Sequence, residues 1–226
     1  MGEDQNHGEI SLAHYGVLFL DELPEFNQNT LEVLRGPLED NYVTISRLNA
    51  SITYPCNFMF VASMNPCPCG YYGSSEKECS CKPEQIKKYI NKISGPLLDR
   101  IDIHIEVNAV KYNKLDSNEK VENSEVIRER VNKARKKQND RYKEYNIFSN
   151  SELTPSMIER FCKLNQHSKR LLENAFEKLG LSARAYGRIL KVARTIADLD
   201  ESEDILEKHI AEAIQYRSLD RKYWKN

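Results

Sequence analysis

The sequence predicts an α/β layered core over residues 1–110, a polar linker over 111–123 and a small all-helical domain over 124–226. Three observations predict this. Up to residue 107, short apolar runs that end in polar or acidic residues alternate with helix-like segments, the grammar of a layered α/β domain. From Lys111 to Asn123 the chain turns to Lys, Asn, Asp and Ser, the composition of a connection. Beyond it, apolar residues recur only at helical spacing.

The first strand is Gly16-Val17-Leu18-Phe19-Leu20, whose unbroken apolar run fits a central parallel strand covered on both faces. It ends in Asp21 and Glu22. Ligands of open α/β sheets gather at the carboxyl ends of such strands. In a nucleotide-hydrolysing site the first acid would orient Mg²⁺ and the second would polarise the attacking water. A strand ending in a capped turn, with Leu23-Pro24 following, is the other reading of the same residues. A helix is predicted around 28–35, then paired strands near 42–46 and 51–54 with Arg47 near their turn. Next comes a strand at 58–63, Phe58-Met59-Phe60-Val61-Ala62, which stops at Ser63-Met64-Asn65-Pro66 and so sets a second polar side chain, Asn65, at a strand terminus. A helix near 84–92 follows, and Ile101 to Val107 alternates strictly, as a half-exposed strand does.

In the second half, Ile127, Val131 and Ala134 mark the inner face of a long helix that carries Arg128, Arg130, Lys133, Arg135, Lys136, Lys137 and Arg141 elsewhere. Thr154-Pro155 starts a helix with a cap and a proline at its first position. Leu171, Leu172, Ala175, Phe176 and Leu179 stripe a third, closed by Gly180. Ser182 caps a fourth with Ala185, Ile189, Val192, Ala193 and Ile196 inward, and Leu206, Ile210 and Ala213 stripe a fifth. The expected bundle spans 122–219.

The 226 residues, 40% apolar and 30% charged, suit a soluble globular protein of one large or two ordinary domains. No apolar run approaches the length that crosses a bilayer and no secretory pattern opens the chain, so a cytosolic protein without membrane contact is expected. The net charge of −1 conceals an asymmetry: 8 Lys and Arg against 15 Asp and Glu in residues 1–110, but 25 against 19 in residues 111–226. The second half is the anion-binding candidate.

Four of the six cysteines form two close pairs, Cys67-x-Cys69 and Cys79-x-Cys81. In a reducing compartment such thiolates serve as metal ligands more readily than as disulfides, and four sulfurs suit tetrahedral Zn²⁺. Free or redox-active thiols are the alternative. The intervening Gly70-Tyr71-Tyr72-Gly73-Ser74-Ser75 can turn back to bring the pairs together. Cys56 and Cys162 sit in apolar settings and read as core residues.

The segments Gly8-Glu9-Ile10-Ser11-Leu12-Ala13-His14, Gly16 to Phe26, Val43-Thr44-Ile45-Ser46-Arg47, Ser63-Met64-Asn65-Pro66-Cys67-Pro68-Cys69-Gly70, Ser94-Gly95-Pro96-Leu97-Leu98-Asp99-Arg100-Ile101-Asp102 and Leu181-Ser182-Ala183-Arg184-Ala185-Tyr186-Gly187-Arg188-Ile189-Leu190 occur here in one order. Together they resemble the magnesium-chelatase-like AAA+ ATPases of the ComM/YifB type over nearly the whole chain past residue 7. The resemblance implies a partial AAA+ core followed by a helical lid domain. It assigns Asp21 and Glu22 to the Walker B pair, with Asp21 meeting Mg²⁺ through water, and Asn65 to sensor 1. Arg100 matches the arginine finger that would reach a neighbouring subunit's nucleotide. Arg184 matches sensor 2, with Arg188 one turn on as competitor for the nucleotide. An ion pair of Arg100 with Asp99 or Asp102 is the local alternative, and either helical arginine could be an ordinary surface charge.

The phosphate-cradling motif G-x-x-x-x-G-K-[ST] does not occur in these residues. In the resembling family it lies upstream of Gly8-Glu9-Ile10-Ser11. The expectation is therefore a C-terminal portion of a longer ATPase, inactive alone, with a sheet edge or apolar face left bare. The resemblance implies ATP and Mg²⁺ as cofactors, assembly into a ring of six, and DNA remodelling by helicase or branch-migration work. The 42–54 hairpin is a candidate strand-gripping element or mere padding. A chelatase-like or chaperone-like motor acting on a protein is the second class, and a zinc-stabilised adaptor that only binds is the third.

Overall fold

The computed structural model describes residues 8–47, 50–74, 77–107 and 122–217, and the chain divides into two compact units, Met1–Ile101 and Asp102–Asn226. The fold is α/β with a small parallel sheet, followed by a helical region, as the sequence predicts.

In the first unit a short α1 (Glu9–Leu12) precedes β1 (Val17–Leu20), and β1 pairs in parallel with β4 (Met59–Ala62) in the register Val17↔Met59 to Leu20↔Ala62. The crossover between them holds a 3₁₀ turn (Leu23–Glu25), α2 (Gln28–Val33), α3 (Arg35–Asp40) and an antiparallel hairpin of β2 (Tyr42–Arg47) and β3 (Ala50–Pro55). The single helix predicted around 28–35 is thus two, parted at Leu34. Pro37 has no N–H to give the carbonyl of Val33, so the helical ladder lapses there. Asn27 caps α2 by accepting the Asn29 N–H, and Asn41, at φ 60, ends α3 in the left-handed conformation that Asn tolerates. Thr44 pairs with Thr53, and Ser46 with Ser51, so one hairpin face carries hydroxyls. The hairpin's turn at 48–49 lies outside the described residues. After β4 come α4 (Pro83–Ile90) and α5 (Gly95–Leu98), the latter capped by Ser94 Oγ accepting the Leu97 N–H. Leu23, Leu31, Leu34, Ile86, Ile90, Ile93 and Leu97 form this unit's interior together with Cys56.

Two expectations are corrected here. The β1 run is not covered on both faces: Val17 is 57% exposed and Phe19 56%, and across the ladder Met59 is 64% and Val61 39% exposed. Among the described residues the sheet has two strands, and the interior reaches only the Leu18 and Leu20 side, which is half-buried. Residues 101–107 likewise form no strand. They run extended without a ladder, tied by the His104 N–H to the carbonyl of Tyr216, and Ile105 and Val107 face solvent. An apolar face like that of β1 and β4 is expected to draw copies together. Light scattering should show apparent mass rising with concentration, and Phe19→Ser combined with Met59→Ser should suppress the rise. A concentration-independent monomer mass would contradict this.

The second unit contains α6 (Ser124–Tyr142), a 3₁₀ turn (Asn150–Glu152), α7 (Pro155–Phe161), α8 (Gln166–Leu179), α9 (Ala183–Leu199) and α10 (Glu207–Gln215). Asn123, Thr154, Asn165 and Ser182 cap the first four helices by accepting the N–H three residues on. Gly180 closes α8 at φ 55, where a side chain would be strained. Tyr142, Leu153, Ile158, Cys162, Leu172, Ile189, Leu190, Ala193, Ile205 and Ile210 make the core, in which Cys162 is a buried apolar residue, as expected, with its thiol pushed up to about 11 by burial. The predicted inner stripe of α6 holds only at Ala134. Ile127 and Val131 are exposed, because the buried positions are Ala134, Gln138 and Tyr142, at i, i+4 and i+8 in the half of the helix that meets the core. The linker expected over 111–123 lies, up to residue 121, outside the described residues.

Candidate functional site

Parallel pairing brings the carboxyl ends of β1 and β4 side by side, and with Leu20 opposite Ala62 the next residues, Asp21 and Ser63, become neighbours. The chain is stitched across this junction by Ser63 N–H to the Leu20 carbonyl at 3.0 Å and Leu23 N–H to the Ser63 carbonyl at 2.9 Å. The Ser63 hydroxyl donates to Asp21 Oδ1, and the Glu22 N–H donates to the same oxygen at 3.0 Å. Asp21 is therefore oriented by two donors on one oxygen. Glu22 stands at φ 51, ψ 49, a left-handed conformation that costs a non-glycine residue about 1–2 kcal/mol. It is the residue before the Leu23–Glu25 turn, yet its side chain makes no capping hydrogen bond. The capped-turn reading thus fails for Glu22, whose exposed carboxylate sits at the sheet's edge.

Asn65, two residues past Ser63, is exposed. Tyr89 of α4 is a buried ring whose phenol is pushed up first by burial and then by the nearby Glu25, with the backbone of Asn65 pulling the other way. The Asn65 Oδ1 lies 4.0 Å from the position a Cβ would take on Gly70, itself at φ 81 and accommodating the turn.

That turn opens the cysteine loop. Cys67 Sγ lies 3.4 Å from Cys69 Sγ and 3.7 Å from Cys79 Sγ, and Cys69 and Cys79 are 3.5 Å apart. With Cys81, all four sulfurs fall within 4.8 Å of one another. Four sulfurs each about 2.3 Å from a tetrahedral Zn²⁺ stand about 3.8 Å apart, so the donor set fits that ion. The Tyr71 N–H, donating to sulfur, lowers the Cys69 thiol to about 5. Cys79 is pushed up to about 12, the Cys81 N–H favouring its thiolate but being outweighed by burial and by the bonds with Cys69 and Cys67. Cys81 is raised as well, first by burial. An ion entering such a set displaces protons from the raised thiols.

The predicted arginines are placed differently. Arg100, past α5, has a side chain only 8% exposed: Nε donates to the Arg35 carbonyl at 2.9 Å, Nη1 to the Pro96 carbonyl at 2.7 Å, and Nη2 is ion-paired with Glu39. Arg184 lies exposed in the first turn of α9, in the second unit. Arg188, one turn on, is paired with Asp102 at 2.5 Å. Asp21, Glu22 and Asn65 thus share one edge of the first unit with the cysteine loop, Arg100 is anchored by its own unit, and Arg184 and Arg188 belong to the helical unit. Two residues at this edge were given no role by the sequence. Ser63 stands to β4 as Asp21 stands to β1, and a parallel register alone would have paired them. Tyr89 carried no signal beyond its place on the buried face of α4.

Comparison with known proteins follows the same outline. The family described as magnesium chelatase, subunit ChlI, matches residues 1–115, and the model for that subunit's C-terminal region matches residues 121–217. The chain is 49% identical over 215 residues to the competence protein ComM of Haemophilus influenzae and 46% identical over 215 residues to the uncharacterized protein YifB of Escherichia coli, covering 95% of itself in each case. It is 27% identical over 104 residues, 46% of its length and 24% of the relative's, to the magnesium-chelatase subunit ChlI of Anabaena variabilis. It spans 41% of the length of the first two relatives.

Proposed function

The chain belongs to the magnesium chelatase ChlI family, and on that footing we propose that it supplies the hydrolytic edge and the helical lid of a ComM/YifB-like AAA+ ATPase that remodels DNA. The observation that carries the reading is the junction of β1 and β4. There Asp21 is oriented by two donors, and the carboxylate of Glu22 is not spent on a cap.

The residues fit Mg²⁺, for Asp21 keeps Oδ2 for a metal-bound water while Oδ1 is held by Glu22 N–H and Ser63 Oγ–H. Bound there with ATP, the ion would supply positive charge to the phosphates. Glu22 draws a proton from the attacking water, which makes its oxygen the better nucleophile. Asn65, exposed two residues past Ser63, holds that water by its amide. Arg100 stabilises charge on a phosphoryl group only after exchanging Glu39 for it, so in this reading its present ion pair is the resting arrangement. Arg184 approaches the nucleotide as sensor 2, whereas Arg188 keeps the Asp102 pair. Zn²⁺ in the cysteine cluster is structural in this scheme, with four protein ligands and no open position.

DNA is proposed as the substrate because α6 exposes Arg128, Arg135 and Lys136 in the more basic half of the chain, and because one relative is named a competence protein. The hydroxyl-bearing face of the β2–β3 hairpin is the element assigned to gripping a strand. ATP turnover by the full product of the gene, with and without forked or four-way-junction DNA, tests the proposal. Stimulation by branched DNA is expected. DNA-indifferent turnover would remove the DNA part and favour a protein-remodelling motor of the chelatase kind, and absence of any turnover would overturn the ATPase reading.

A further inference from the structure

Ser63 commits all three of its polar groups to the exit of the neighbouring strand. Its N–H donates to the Leu20 carbonyl at 3.0 Å, its hydroxyl donates to Asp21 Oδ1, and its carbonyl accepts the Leu23 N–H at 2.9 Å. These bonds reach Leu20, Asp21 and Leu23 and pass over Glu22, the residue held at φ 51 and ψ 49. A non-glycine residue keeps a left-handed conformation where its surroundings over-determine it, and here the residue on each side of Glu22 is bound to Ser63.

Of the three bonds only the hydroxyl's belongs to the side chain. The two backbone bonds are open to any residue that has an N–H and a carbonyl, so they would survive alanine at this position. The bond to Asp21 would not. Asp21 Oδ1 has one other donor, the Glu22 N–H at 3.0 Å, which belongs to the adjacent residue and travels with the same turn. The hydroxyl is therefore the tie between this carboxylate and β4. Both side chains are exposed, so the bond adds little to the stability of the fold. What it fixes is the direction in which the acid points.

We propose that Ser63 is a positioning residue of the metal site: its hydroxyl holds Asp21 by Oδ1, leaves Oδ2 for the water around the divalent cation, and so sets the affinity for the cation that accompanies the nucleotide. The inference rests on the reading of Asp21 given above. Without the hydroxyl the carboxylate regains its rotameric freedom, and that freedom is lost again each time the cation is bound. Hydrogen-bond partners that stand behind metal-directed groups typically change metal affinity by about 10–100-fold. Because Asp21 meets the cation through water, the effect expected for Ser63 lies at the lower end, about tenfold.

The test reads binding, not turnover. Mn²⁺, standing in for Mg²⁺, is titrated into the full product of the gene, kept in excess over a non-hydrolysable ATP analogue, and the free ion is counted by electron paramagnetic resonance. The expected result is nucleotide-dependent binding that Asp21→Ala abolishes, that Ser63→Ala weakens about tenfold, and that Ser63→Thr, which keeps the hydroxyl and suits a strand end, holds within about twofold. Melting temperature and affinity for the analogue in chelator should be the same in both Ser63 variants as in the unsubstituted protein. Equal Mn²⁺ affinity in Ser63→Ala, or a Ser63→Thr variant as weak as Ser63→Ala, overturns this inference and leaves the Asp21 reading standing. A parallel fall of analogue affinity in chelator also overturns it, since the loss would then belong to the whole edge. Mn²⁺ binding that ignores Asp21→Ala overturns the Asp21 reading and this inference with it.

Discussion

Asp198→Ala is expected to destabilise the helical unit by about 3–5 kcal/mol, which for a unit of this size approaches loss of the fold at 37 °C. The carboxylate is 0% exposed and lies on α9. Arg141 of α6 meets it with two nitrogens, at 2.5 and 2.9 Å, Arg194 approaches at 3.2 Å, and the Asn150 amide donates at 2.9 Å. The network extends further, since Asn150 accepts the Tyr142 hydroxyl at 2.7 Å and Arg194 donates to the carbonyls of Ser202 and Glu203. Removing Asp198 leaves one fully buried and one mostly buried guanidinium without their counter-charge. Burial already holds Arg194 below the ordinary arginine range, although Asp198 works against it, so deleting the acid removes the group that keeps that charge tolerable. Asp198→Asn keeps the size and an accepting oxygen and should cost less. Urea titration followed by the helical signal, with the slope unchanged, measures both. A loss under about 1 kcal/mol for the alanine variant would mean that water reaches the network.

None of that network was legible beforehand, and the reason is geometric. Arg141, Asn150, Arg194 and Asp198 come from three separate elements, and a charged residue in a helical pattern is read as solvated unless its partners are already known. What the sequence did disclose was local. The Thr154 and Ser182 caps, Pro155 at a first helical position and Gly180 at a left-handed end each follow from chemistry within three or four residues. Periodicity spoke for side-chain spacing but not for what lay opposite. The alternation of Ile101 to Val107 was real, yet no strand pairs with it, and the apolar run of β1 was real, yet half of it faces solvent. The candidate site divides in the same way. Asp21, Glu22 and Asn65 were placed at strand ends by runs that stop abruptly, whereas the Ser63 hydroxyl on Asp21 and the anchoring of Arg100 by Glu39 depend on register and on contacts between elements.

Glu22→Gln is expected to lower ATP turnover by the full gene product by at least about 10²-fold while leaving nucleotide binding and thermal stability near their starting values. The amide has the shape of the carboxylate but cannot take a proton from water. The backbone sharpens the test. At φ 51 and ψ 49 Glu22 bears a strain of about 1–2 kcal/mol that glycine would not, offset in part by the about 0.4–1 kcal/mol of unfolded-chain entropy that glycine adds, so Glu22→Gly is expected to leave stability unchanged or slightly raised while losing turnover just as completely. A residue kept only to shape the turn would behave in the opposite way, since glycine would shape it better. If Glu22→Gln turned over ATP like the unsubstituted protein, the base would have to be sought elsewhere. Asp21 would be a poor candidate for it, because one of its oxygens already accepts both the Glu22 N–H and the Ser63 hydroxyl.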